Sequence, residues 1–130
     1  MTSRNWSVLP VVATAAAVAL LFTTGCAAWR IGQAADLARQ STPFQQNPAE
    51  ATVSLLIVGD STGVGTGATS PESSLAGLLG RAYPRLRIDN RARDGATFAG
   101  VLRQLEGTQR YDLVLVQAGG NDVIRLRSDA

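Results

Sequence analysis

The stretch Val53 to Ala68, VSLLIVGDSTGVGTGA, decides the fold. Val53, Leu55, Leu56, Ile57 and Val58 form a nearly continuous apolar run. A continuous run, unlike an alternating one, predicts a strand buried on both faces, as in a parallel sheet. It ends abruptly in Gly59-Asp60-Ser61-Thr62, and a glycine-rich segment follows. A chain leaving such a strand turns at the carboxyl edge of the sheet, where open α/β folds place their ligands. Ser61 is thereby predicted at that edge, on a turn made permissive by Gly59 and Gly63. A serine there is well placed for a nucleophile. A polar turn with no chemistry is the competing reading.

Toward the carboxyl terminus, Ser70-Pro71-Glu72 reads as a helix start: a capping serine, a proline at the first helical position and an acid in the first turn. Leu75, Leu78, Leu79 and Ala82 would be its buried stripe, with Pro84 ending it. Leu86 and Ile88 alternate with Arg85, Arg87 and Asp89, which predicts a half-exposed strand. Phe98, Val101, Leu102 and Leu105 recur at helical spacing, so Thr97 to Glu106 reads as a helix closed by Gly107. Tyr111 to Val116 reads as a third strand, and Gln117 to Asp122 as the loop at its end. Strand, helix, strand, helix, strand with short connections implies a parallel α/β sheet. Another helix is expected to begin around Ser128 to Ala130.

Toward the amino terminus, Pro43 and Pro48 among polar residues make Ser41 to Glu50 an extended linker. Ala27 to Gln40 has the spacing of a short amphipathic helix. Met1 to Trp6 is polar with one charge, Arg4, and Val8 to Phe22 is apolar apart from Thr14. Gly25-Cys26 then closes a pattern of charged start, apolar middle and small-residue end. Two outcomes compete: a lipoprotein signal with Cys26 as the lipidated residue, although Thr23 departs from the usual aliphatic, or an uncleaved anchor running to Trp29 and Arg30. Either tethers the remainder to a membrane. The resulting division is 1–29 signal peptide or anchor, 30–50 linker and 51–130 the α/β domain.

Composition narrows the chemistry. The 130 residues carry 12 basic side chains, every one an arginine, against 10 acidic ones, for a net charge of +2. That balance gives no argument for a nucleic-acid partner. A single cysteine excludes an intrachain disulfide. There is no histidine, which removes the commonest general base and the commonest metal ligand. No metal-ligand cluster is evident, and no cofactor is expected. Gly63 to Ala68 fits the dinucleotide pattern G-x-G-x-x-A, with Asp89 near the place of a ribose-binding acid. Four residues, Gly59 to Thr62, intervene between strand and pattern, and the Gly119 to Asp122 loop stays unexplained on that reading. A phosphate-binding P-loop is excluded because the chain has no lysine.

Three loops at one sheet edge therefore carry Gly59-Asp60-Ser61, Asn90 with Gly95, and Gly119-Gly120-Asn121-Asp122. Acyl transfer needs a nucleophile and donors aimed at a developing oxyanion. This set resembles the SGNH (GDSL-type) hydrolase family over about Val53 to Arg127. The family carries Gly-Asp-Ser after its first strand, a glycine after its second and Gly-x-Asn-Asp after its third. The resemblance implies a flavodoxin-like three-layer fold, here only its amino-terminal half, and esterase, lipase or deacetylase chemistry on a small-molecule, lipid or carbohydrate ester. It implies Ser61 as nucleophile, with the Ser61 N–H, the Gly95 N–H and the Asn121 amide as oxyanion hole. Asp60 and Asp122 would brace the turns. Singly, Gly95 also reads as a loop residue with positive φ, and Asn121-Asp122 as a helix cap.

The family's Asp-x-x-His block and its last two strands have no counterpart in these residues. The expectation is a bacterial envelope protein, membrane-tethered and facing the periplasm or outside, that is a very poor hydrolase as written. The alternative is a non-catalytic tethered binding protein or a truncated remnant.

Overall fold

A computed structural model describes residues 8–107 and 109–124. The charged start at Arg4 and the helix expected from Ser128 lie outside the described residues. The chain divides into two compact units, Met1–Asp36 and Leu37–Ala130.

Helix α1 runs unbroken over Val8–Gln40, so the apolar segment and the expected amphipathic helix are one element, and residues 30–40 are helical. Its large apolar side chains, among them Leu21, Phe22 and Trp29, are exposed. Thr14 and Thr24 return their hydroxyls to the carbonyls of Pro10 and Leu20, both at 2.8 Å, which satisfies them without water. Pro10–Gln40 is long and apolar enough to cross a membrane, properties that a signal sequence shares.

In the second unit, β1 (Val53–Gly59), β2 (Leu86–Asn90) and β3 (Leu113–Gln117) form a parallel sheet in the order β2-β1-β3. Helix α3 (Leu75–Ala82) connects β1 to β2, and α4 (Phe98–Gln104) connects β2 to β3. The chain moves one way from β1 to reach β2 and the other way to reach β3, so the two helices cover opposite faces. The odd residues Leu55 and Ile57 pack with Ala76, Leu86 and Ile88 on one face. The even residues Leu56 and Val58 pack with Val101 on the other. The run that predicted a doubly buried strand is thus the centre of both cores. Each of its large side chains contributes about 1.5–3 kcal/mol by leaving water.

Several local expectations are corrected. Gly59 and Gly63 have no positive φ; they supply space. A Cβ at Gly63 would lie 2.7 Å from that of Ala92. Ser70 heads only a 3₁₀ turn, Pro71–Ser73, without a side-chain cap. Ser74 caps α3 instead, its hydroxyl accepting from the Gly77 N–H at 3.1 Å. Leu75 and Leu78 are 46% and 51% exposed, whereas Ala76, Gly77 and Gly80 are buried. Small residues face inward because the neighbours come so close: Gly80 abuts Phe44 and Gln46. In α4, Val101 is buried but Phe98 and Leu102 are exposed. The loop expected after Ser61 opens with one helical turn, α2 (Ser61–Val64).

The stretch Ser41 to Glu50 is extended, as expected, but fastened. Gln46 exchanges backbone hydrogen bonds with Ile88 at 3.1 and 2.8 Å. The Gln45 amide exchanges two more with the Asn90 backbone, at 2.6 and 3.0 Å. Phe44 packs against the core. This strap closes the outer edge of β2. Among the described residues the β3 edge carries no such cover: Leu113, Val114 and Val116 are 55%, 53% and 51% exposed. An open apolar hollow of about 660 Å³ lies beside it, walled by Val53, Leu55, Leu79, Leu86, Leu113 and Leu115. It reaches the first residues of all three strands, so it is at the edge opposite Ser61.

A polar cluster joins β2 to β3. Tyr111 donates its hydroxyl to Asp89 Oδ2, and Arg91 pairs with the same oxygen at 3.0 Å. Burial opposes ionisation of Asp89, but the bonds from Tyr111 and Arg91 and the charges of Arg91 and Arg87 outweigh it, so its pKa is lowered. A carboxylate depressed on folding adds stability above its unfolded pKa of about 3.9 and loses it as pH falls through the lower folded value. Asp89→Asn should therefore melt below the parent at pH 7, and the gap should close under acid. A gap that persists unchanged at pH 2–3 would refute the assignment. The hydrogen bond to Asp89 raises the Tyr111 pKa, so its share is present below about pH 10 and is lost above.

Candidate active site

The order β2-β1-β3 makes the β1/β3 junction the point where the winding reverses, and open α/β folds bind ligands outside the strand ends at such a point. Ser61 stands there, half-buried, one residue past Asp60 at the head of α2. Asp60 is the N-cap: its carboxylate accepts from the Thr62 N–H at 2.9 Å. Its own N–H donates to Gln117 O at 2.9 Å, tying the serine turn to the end of β3.

The second loop begins at Asn90, which is the buried last residue of β2 rather than a loop residue. Its amide donates to Gly63 O at 2.8 Å and accepts from the Ala92 N–H at 3.1 Å. One side chain therefore holds α2 and the start of the next loop together. Gly95 follows at φ 71°, a conformation costly for other residues. Thr66 donates to Asp94 at 2.5 Å, a second tie between these loops.

The third loop leads into α5 (Gly120–Ile124), with Asn121 and Asp122 in its first turn. The Asn121 amide donates to Ala96 O at 3.0 Å, one residue from Gly95. Asp122 accepts from the Phe98 N–H at 2.9 Å at the start of α4. Both aspartates thus brace turns. Among the described residues, the N–H groups of Ser61 and Gly95 and the Ser61 hydroxyl make no hydrogen bond. One N–H of the Asn121 amide is likewise uncommitted.

Among the described residues no group of acidic, cysteine or histidine side chains is arranged to hold a metal. The sequence reading missed Gln45 and Gln104, which bond to the backbone of Asn90 and Gly59 near the site, and Gln46, which bonds to Tyr83, Leu86 and Ile88, farther from it. Gln104 carried a usable signal: it lies three residues beyond Val101 and so shares its inward face.

The sheet order, the cross-tied loops and the serine at the winding reversal define an SGNH-like α/β fold over the strand-bearing part of the chain. No protein-family model matches the chain, and no curated protein matches it. Among solved structures the chain is similar to AlinE4, an SGNH-hydrolase family esterase, at 27% identity and a TM-score of 0.53 over 63% of this chain and 47% of that one. A point mutant of that esterase matches with the same values. The chain thus spans about half the length of the esterase it resembles.

Proposed function

We propose that this chain carries the nucleophile half of a serine ester hydrolase of SGNH type. Ser61 Oγ would attack the ester carbonyl. The Ser61 and Gly95 N–H groups and the Asn121 amide would receive the oxyanion. The C–O bond to the alcohol then breaks, the alcohol takes a proton, and water later releases the acid from the acyl-serine. The observation that carries this reading is the tying of three loops around uncommitted donors at the winding reversal, on a fold similar to that of an esterase. The substrate class would be a small-molecule, lipid or carbohydrate ester, with no organic cofactor or metal. Helix α1 would hold the unit at a membrane of the cell envelope, as an anchor or through a lipid on Cys26.

No histidine stands among the 130 residues, so the hydroxyl proton passes to solvent unless another chain segment supplies a base. Loss of the histidine alone costs on the order of 10⁶ in turnover in a serine protease. The oxyanion hole and binding leave roughly 10³–10⁴ over water. The test is covalent labelling with a fluorophosphonate followed by intact-mass analysis. One adduct per chain is expected on prolonged incubation with excess probe, formed slowly because no histidine takes the proton, and absent in Ser61→Ala. An unlabelled parent, or a Ser61→Ala variant that labels equally, would overturn the assignment.

A further inference from the structure

Gln104 is the last residue of α4, yet its side chain reaches the end of β1. The Gly59 N–H donates to its Oε1 at 2.8 Å, and its Nε2 donates to Gly59 O at 2.9 Å. The parallel ladder explains why a side chain is needed there. On its β2 side, β1 receives the Arg91 N–H at Ile57 O, at 2.8 Å, and the Arg93 N–H at Gly59 O, at 3.1 Å. The Gly59 N–H points the same way, and β2 has ended at Asn90. The Gln104 amide, which has the donor and acceptor of a peptide group, fills the missing rung. On the other side Gln117 O holds the Asp60 N–H at 2.9 Å. The two residues before Ser61 are thus gripped from both flanks.

We infer that Gln104 is a positioning residue for Ser61: it locks the Gly59-Asp60 peptide so that the serine hydroxyl and N–H are presented in one orientation. The inference rests on Ser61 being the nucleophile. A merely structural glutamine would support α4 packing and leave the serine's reactivity alone. A positioning glutamine changes the maximal rate at which Ser61 displaces fluoride from the phosphonate probe, while the apparent affinity for the probe stays the same.

The experiment uses the full chain with Gln104→Met and Gln104→Glu, reading amide hydrogen exchange and fluorophosphonate labelling across pH. In Gln104→Met the Gly59 N–H should exchange about tenfold faster, as expected for losing one or two net hydrogen bonds. Its maximal labelling rate should fall at least about tenfold, since small misplacements of reacting groups cost that much or more. In Gln104→Glu the ionised carboxylate still accepts from Gly59 N–H but cannot donate to Gly59 O. Its labelling rate relative to the parent should recover as pH falls through the carboxyl pKa of about 4.3, where the protonated acid donates again. The Glu variant decides the matter if the Met variant does not fold. A parent that labels at Ser61 beside variants that label equally, at every pH, overturns the positioning role alone. A parent that never labels overturns the nucleophile reading and this inference with it.

Discussion

Gly59→Ala is expected to cost the second unit about 3 kcal/mol or more, a large share of its stability. A Cβ at Gly59 would lie 2.2 Å from Gln117 O and 2.9 Å from Gln117 C. Both are backbone atoms of the adjoining strand, so no rotamer change relieves the clash. The β1/β3 pairing would have to open where Asp60 N–H meets Gln117 O. Overpacking usually costs about 1–3 kcal/mol, and a clash between two paired backbones belongs at or above the top of that range. A domain of this size holds only about 0.05–0.15 kcal/mol per residue. Gly67→Ala is the contrast: at φ 90° with nothing within 4 Å, it pays only the left-handed backbone cost of about 1–2 kcal/mol. Urea denaturation followed by circular dichroism separates the two. Equal midpoints for Gly59→Ala and the parent would mean that β1 and β3 do not approach as described.

That contrast shows what the sequence carried and what it withheld. The apolar run through Leu55 to Val58 announced a central strand because burial on both faces writes an unbroken pattern. The alternation at Leu86 and Ile88 announced β2 because burial on one face writes a period of two. The Gly-Asp-Ser and Gly-Gly-Asn-Asp stretches named the loops that lie at one edge. Gly59 itself was legible as a special position but for the wrong cause, since a need for space and a need for positive φ use the same residue. Helix α3 was misread because leucines at helical spacing announce burial only when something stands opposite them. Its buried face is Ala76, Gly77 and Gly80, with Gly77 against the Glu72 backbone and Gly80 against Phe44 and Gln46 of the strap, neighbours that no local pattern reveals. Glutamine amides that imitate peptide groups are nearly as silent: Gln45 and Gln46 look like surface residues until their backbone partners are known, and only Gln104, three residues past Val101, carried a hint.

The two sheet edges are treated differently. The strap covers β2 with backbone and glutamine amides. β3 presents Leu113, Val114 and Val116 with no charge, proline or bulge to blunt pairing. A separate polar network, Asn90, Gln104 and Asp60, concentrates around the carboxyl end of the central strand β1. The energetic cost of building the serine turn is therefore met by residues of β2, α4 and β3 together.

Asn90→Leu should be the most damaging substitution in that network. The side chain is 2% exposed, and leucine keeps its branched outline, so no cavity opens, while its bulkier methyl groups add crowding to whatever the lost bonds cost. What is lost is the donor to Gly63 O and the acceptor for the Ala92 N–H, 2.8 and 3.1 Å away. Gly63 and Ala92 are themselves buried, so water does not readily replace the amide. Each stranded backbone group costs about 1–3 kcal/mol, which puts the variant roughly 2–6 kcal/mol below the parent. Asn90→Asp divides that sum: it keeps an acceptor for Ala92 but sets a carboxylate oxygen against Gly63 O. If both bonds matter, Asn90→Asp should be destabilised near neutral pH and should regain stability as its carboxyl is protonated and donates to Gly63 O. Denaturant midpoints for both variants at pH 4 and pH 7 measure this. The Gly63 end is the one that matters for chemistry, because it fixes α2 two residues beyond Ser61. A leucine variant as stable as the parent would mean that α2, and the serine it carries, is held by something other than Asn90.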